Sequence, residues 1–170
     1  MVKSIALFGT SADPPTIGHK KILEELSRIY DLTISYVSNN PSKKHKEDIS
    51  IRSYLLKTLI EELNNPKTLF NQSVSSQWAV ESIKKCKEIY EFNNLDFVIG
   101  SDLIKDIFYW KNFDKIILEV SFLIILREGY PIESNILKML ETYKVKFKVS
   151  TIKIPNTSSS NFRLNFKAEN

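Results

Sequence analysis

Between Leu7 and Leu23 the chain reads LFGTSADPPTIGHKKIL, a glycine, two prolines and a Gly-His pair set between an apolar run and an amphipathic one. Gly9 removes a side chain where the chain turns, Pro14 and Pro15 fix φ and lower the entropy of the loop, and Gly18 leaves room for a ligand beside the helix start. His19 then falls in the first helical turn, where unpaired amides and the positive end of the helix dipole favour an anion. With Lys20 and Lys21 behind it, the imidazole suits a phosphate site. The same spacing also suits a helix-capping turn with an exposed histidine.

Two more stretches carry groups of the same kind. In TSSSNFR, Thr157 to Arg163, the hydroxyls precede a helical pattern and make good N-caps. Three serines in a row exceed what one cap needs, however, and with Arg163 on the next turn the set matches polyphosphate oxygens. In IGSDLIKDIFYW, Ile99 to Trp110, Gly100 allows a close backbone approach. Asp102 there is either an acceptor for ribose hydroxyls or a helix cap. Trp110 packs in a core or stacks on a flat heterocycle. SKKHK, Ser42 to Lys46, reads on charge alone as a solvated basic loop.

These stretches need elements to hold them. The apolar run KSIALF, ended by Gly9, predicts a buried strand. Ile17 to Tyr30 carries apolar residues at helical spacing, and Leu32 to Ser38 predicts a second strand. Strand, loop, helix and strand in that order imply a right-handed parallel crossover. Beyond the polar NNPSKKHKED loop, the pattern predicts a helix over Ile51 to Leu63, a short strand at Thr68 to Phe70 and a helix over about Ser76 to Tyr90. Strands follow at Leu95 to Gly100, Ser121 to Arg127 and Lys144 to Ile154. This alternation predicts a three-layer α/β fold with a mostly parallel central sheet, in which ligands collect at the carboxyl ends of the strands.

Composition narrows the classes. The 170 residues, 42% of them hydrophobic, suffice for one core and a single domain over 1–170. No apolar run approaches the roughly 18 residues of a membrane helix, so a soluble, cytoplasmic protein without a membrane partner is expected. Cys86 stands alone, which excludes an internal disulfide and a cysteine-cluster zinc site and leaves a reduced, buried thiol. The net charge of +4 is scattered, which suits an anionic small molecule rather than a nucleic acid.

Taken together, the motifs resemble a known family. DPPTIGH is similar to the (H/T)xGH signature of the nucleotidyltransferase superfamily, and TSSSNFR resembles its second signature, ISSTxxR. FVIGSDLIKDIFYW and NNPSKKHK resemble segments of the bacterial nicotinate-nucleotide adenylyltransferases, with RSYLLKTLI and REGY in family order. The resemblance implies a Rossmann-like fold and transfer of AMP from ATP, with Mg2+, to nicotinate mononucleotide, giving deamido-NAD and pyrophosphate. It implies that His19 makes the main transition-state contact, with Thr16 as a hydroxyl donor and Arg163, Ser158 and Ser159 on the β- and γ-phosphates. Gly9 and Gly18 then border ATP, and Gly100 and Asp102 hold its ribose. Ser11, His45, Lys46, Trp78 and Trp110 serve the mononucleotide, Trp110 by stacking on the nicotinate ring.

The sequence departs from the family at two places. Thr10, Ser11 and Ala12 stand where Gly, Thr and Phe are usual, and Thr16 replaces the first histidine. Gln77, Trp78 and Ala79 replace a Ser-Tyr-Thr triplet, which removes one hydroxyl donor. Transfer to nicotinamide mononucleotide or phosphopantetheine, and a non-catalytic nucleotide-binding module, are the alternatives to the expected activity. The sequence sets no oligomeric state.

Overall fold

An apolar strand without polar alternation needs cover on both faces. The computed structural model, which describes residues 2–41 and 43–154, provides it. Strand β1 (Val2–Thr10) runs through the middle of the sheet, with β2 (Leu32–Val37) on one side and β4 (Phe92–Gly100) on the other. β3 (Thr68–Phe70) lies outside β2, and β5 (Ser121–Ile125) and β6 (Phe147–Val149) lie beyond β4. The order is β3-β2-β1-β4-β5-β6, and every pairing is parallel.

Alternate residues of β1 feed two cores. Ala6 and Phe8 pack with Leu23 and Leu26 of α1 (Ile17–Ile29) and with Leu56 and Leu59 of α2 (Ile49–Leu63). Ile5 and Leu7 face the opposite way. They join Ile83 and Cys86 of α3 (Ala79–Ile89), Ile116 of α4 (Phe113–Glu119) and Leu140 of α5 (Ser134–Thr142). The result is the expected three-layer Rossmann-like arrangement. Cys86 is fully buried, and burial pushes its thiol up to about 11. Among the described residues, no helix is long and apolar enough to cross a membrane.

After β3 the chain crosses to the far side of β1. The loops that follow β1 and β4 therefore diverge and open a crevice at the carboxyl ends of the two strands.

Some boundaries differ from the sequence reading. α3 starts at Ala79 rather than near Ser76, because a 3-10 turn at Gln72–Val74 and an extended Trp78 come first. Gly100 leads into a 3-10 helix, Ile104–Tyr109, before α4. β6 is limited to Phe147–Val149. Lys144 is left-handed (φ 56) on the way out of α5, and Ser150 Oγ accepts the N–H of Ile152 at 2.9 Å and turns the chain away from the sheet.

Candidate active site

A cleft of about 690 Å3 opens at this crevice, with His19, Thr16, Asp102, Arg127, Trp78 and Trp110 among its walls. His19 is the third residue of α1, where a capping box would place a glutamate. Its Nδ1 accepts the backbone N–H of Thr16 at 2.9 Å, with Thr16 Oγ1 also 2.9 Å away. An amide can only donate, so Nδ1 carries no proton and Nε2 does. Nε2 lies 2.8 Å from Thr10 Oγ1, to which it donates. Burial, with a smaller push from the Arg127 guanidinium, lowers the imidazole to about 4, so the ring is neutral at pH 7. His19 therefore caps the helix with one nitrogen and, on the cleft wall, donates with the other to Thr10. The capping reading of this loop is observed, with the histidine itself as the capping group.

Asp102 does not cap a helix. Its Oδ2 accepts from Arg127 Nη1 at 3.0 Å, while Oδ1 is buried without a partner among the described residues. A side chain at position 100 would collide with Oδ1, so Gly100 makes room for this carboxylate. The other two glycines act similarly. A Cβ at Gly9 would meet the Tyr36 ring at 2.6 Å, and one at Gly18 would meet Ile154 at 3.1 Å. Protein groups thus fill the place a Cβ would take at Gly9 and Gly18, and both glycines line the cleft.

Trp110 is both core and wall. Its ring stands edge-on to Phe97 (centroids 5.6 Å apart) and tilted against Phe122 (6.2 Å), and it still borders the cleft. Trp78, just before α3, is 39% exposed, with Lys111 Nζ 5.4 Å from its ring centre. Ser11 and Ala79 also line the cleft.

His45 and Lys46 are not brought there. The basic loop folds onto Asp13: His45 Nδ1 lies 3.9 Å from Asp13 Oδ2, which accepts the Lys46 N–H at 2.6 Å. The cleft wall takes Lys43 from this loop instead. Ser158, Ser159 and Arg163 lie outside the described residues.

The cytidylyltransferase-like family model matches residues 7–164. The chain belongs to this family. It is 30% identical over 138 residues to a Synechocystis sp. protein named as a nicotinate-nucleotide adenylyltransferase, covering 75% of this chain and 69% of the relative. A Clostridium tetani protein of the same name is 30% identical over 159 residues, covering 89% and 78%. Among solved structures, the chain is similar to a Plasmodium falciparum nicotinic acid mononucleotide adenylyltransferase complexed with NaAD. The TM-score is 0.72 at 26% identity, with 92% of this chain and 77% of that one covered. Nucleotidyl transfer is the activity class of this cytidylyltransferase-like chain.

Three groups in the site were not singled out from the sequence. Thr10 follows Gly9 on an apolar strand and gives no sign that it will meet His19. Lys43 is one of several charges in its loop. Arg127 closes the Ser121 to Arg127 run, and its place at a strand's carboxyl end was the signal that could have found it.

Proposed function

We propose that this cleft joins ATP to nicotinate mononucleotide. An oxygen of the mononucleotide phosphate attacks the α-phosphorus of ATP. The bond from that phosphorus to the bridging oxygen breaks, and pyrophosphate leaves with the electron pair. The attacking phosphate monoester has a second pKa near 6 and is largely ionised at neutral pH, so no base has to remove a proton. The task left to the protein is alignment and charge stabilisation.

One observation carries this reading: a neutral His19 on the cleft wall at the mouth of α1, its tautomer set by Thr16, with Nε2–H held by Thr10 Oγ1 and available to a phosphoryl oxygen that displaces that hydroxyl. Such a donor follows the charge that develops on the α-phosphoryl oxygens. Thr10 and Thr16 add hydroxyls beside it. The Asp102 carboxylate on the cleft wall suits a ribose hydroxyl, and Trp110 and Trp78 offer aromatic faces to the pyridine ring. Magnesium enters as Mg·ATP, part of the substrate. Ser158, Ser159 and Arg163 complete the proposal as donors to the leaving pyrophosphate.

The test is pyrophosphate release from Mg·ATP with nicotinate mononucleotide, nicotinamide mononucleotide or phosphopantetheine offered separately. The reading expects strong preference for nicotinate mononucleotide. Preference for either other acceptor would reassign the substrate, and no release with any of them would remove the catalytic reading.

A further inference from the structure

Arg52 is 2% exposed, yet among the described residues no carboxylate pairs with it. Burying a charge without a counter-ion costs several kcal/mol unless hydrogen bonds offset it. Here the guanidinium is spent on backbone carbonyls. Nε donates to Glu47 O at 3.0 Å, and Nη1 donates to Ser11 O at 2.9 Å and, at longer range, to Ser38 O at 3.4 Å. Those carbonyls belong to three segments: the loop after β1, the end of β2 and the basic loop.

Asp13 holds the same place from the other side. Its Oδ2 accepts the Lys46 N–H at 2.6 Å, and its Oδ1 accepts the Glu47 N–H at 3.1 Å. The Glu47 residue is thus gripped at its N–H by Asp13 and at its C=O by Arg52. Both grips are anchored in residues 11–13, six to eight residues ahead of His19.

We propose that Arg52 and Asp13 form a clamp that registers the basic loop, residues 43–47, against the loop that carries His19. The two are positioning residues. Neither has to touch the reacting atoms. The inference rests on the adenylyl-transfer reading: the basic loop presents Lys43 to the mononucleotide phosphate, the His19 loop meets the α-phosphate, and the clamp fixes their separation. A misplacement of about 1 Å between reacting groups can cost on the order of 100-fold in rate. The fork of an arginine reaches several carbonyls at once, whereas a lysine ammonium keeps the charge and loses that geometry.

The experiment compares Arg52→Lys and Asp13→Asn with the wild type in two readouts, steady-state kinetics and amide hydrogen exchange at Lys46 and Glu47. Both variants are expected to exchange faster at these two amides. Both should raise KM for nicotinate mononucleotide by about tenfold or more, while KM for ATP stays within about twofold. Asp13→Asn keeps the arginine in place, so it reads the clamp even if the Arg52 variant folds poorly. Unchanged exchange, unchanged mononucleotide KM despite freed amides, or equal loss of both substrates would overturn the clamp. If the wild type turns over no mononucleotide, the functional reading fails, and the clamp is then decided by exchange alone: unchanged protection overturns it and lost protection supports it.

Discussion

Two hollows lie at opposite ends of the same strands. The upper one, about 690 Å3, holds His19 and Asp102. The lower one, about 500 Å3, lies at the amino ends of β4, β5 and β6 and holds Asp96. Asp96 is 6% exposed, and its Oδ2 takes two partners: Tyr30 donates its hydroxyl at 2.5 Å, and Lys148 Nζ lies 3.1 Å away. Burial and the Asp96 carboxylate push the Tyr30 phenol well above its usual value, so it remains a donor. Above, the Asp102 carboxylate pairs with Arg127 through Oδ2 and has Oδ1 without a partner among the described residues, and the neutral His19 donates to Thr10 at a helix mouth. Similar volumes thus hold different chemistry. The lower hollow ties a carboxylate to a phenol and an ammonium, while the upper ties a neutral imidazole to two threonines and keeps one carboxylate oxygen without a partner among the described residues.

That contrast can be broken from either end. The largest effect is expected at the top: His19→Ala should lower turnover by at least about 100-fold, the cost of one oxyanion-type donor. A folded variant with near wild-type turnover would end the role assigned to His19. Next, Trp110→Ala should raise KM for the mononucleotide by about tenfold, since loss of a stacking face costs roughly 0.5–1.5 kcal/mol beyond the packing it also removes. Equal weakening of ATP in the same titration would make Trp110 a packing residue alone.

Smaller still, Asp102→Asn should weaken ATP by a few-fold, because an amide replaces the charged carboxylate acceptor. Calorimetry with a non-hydrolysable ATP analogue reads this directly, and unchanged affinity would detach Asp102 from the ribose. At the bottom, Tyr30→Phe should leave kcat and both KM values alone and cost about 1.5–3 kcal/mol in stability, through the lost hydrogen bond to the Asp96 carboxylate. Denaturant unfolding measures that cost. A kinetic defect in Tyr30→Phe would show that the lower hollow also communicates with the reaction.

The His19 proton gives the finest distinction. Its folded pKa of about 4 lies below the unfolded value of 6.5, so the unfolded chain binds more protons between these limits. The contribution to stability is complete above about pH 6.5 and is lost as pH falls through 4. His19→Gln should flatten that part of the stability profile relative to the wild type, and an unchanged profile would mean that another group dominates it.

Much of this architecture could be read from local patterns, because each works within a few residues. The apolar run after Lys3, the Pro-Pro turn and the Gly-His pair located β1, the loop and α1, and the Gly-Ser-Asp ending of β4 located Asp102. Partners distant in sequence could not be read. Nothing near Thr10 announces His19, nothing near Asp13 announces Glu47, and the Tyr30 to Asp96 contact joins residues 66 apart. His45 and Lys46 show the same limit: charge alone read as a solvated loop and the family motif implied a ligand loop, while two backbone bonds to Asp13 decided where that loop rests.

The central claim is adenylyl transfer through a neutral histidine, without a general base. Its most direct test is the pH dependence of pyrophosphate release by the wild type with Mg·ATP and nicotinate mononucleotide. The account predicts release that depends on the mononucleotide, falls as its phosphate is protonated near pH 6, and stays flat above about pH 7. Absence of release, or a rate that keeps rising above pH 7 as a base loses its proton, would contradict it.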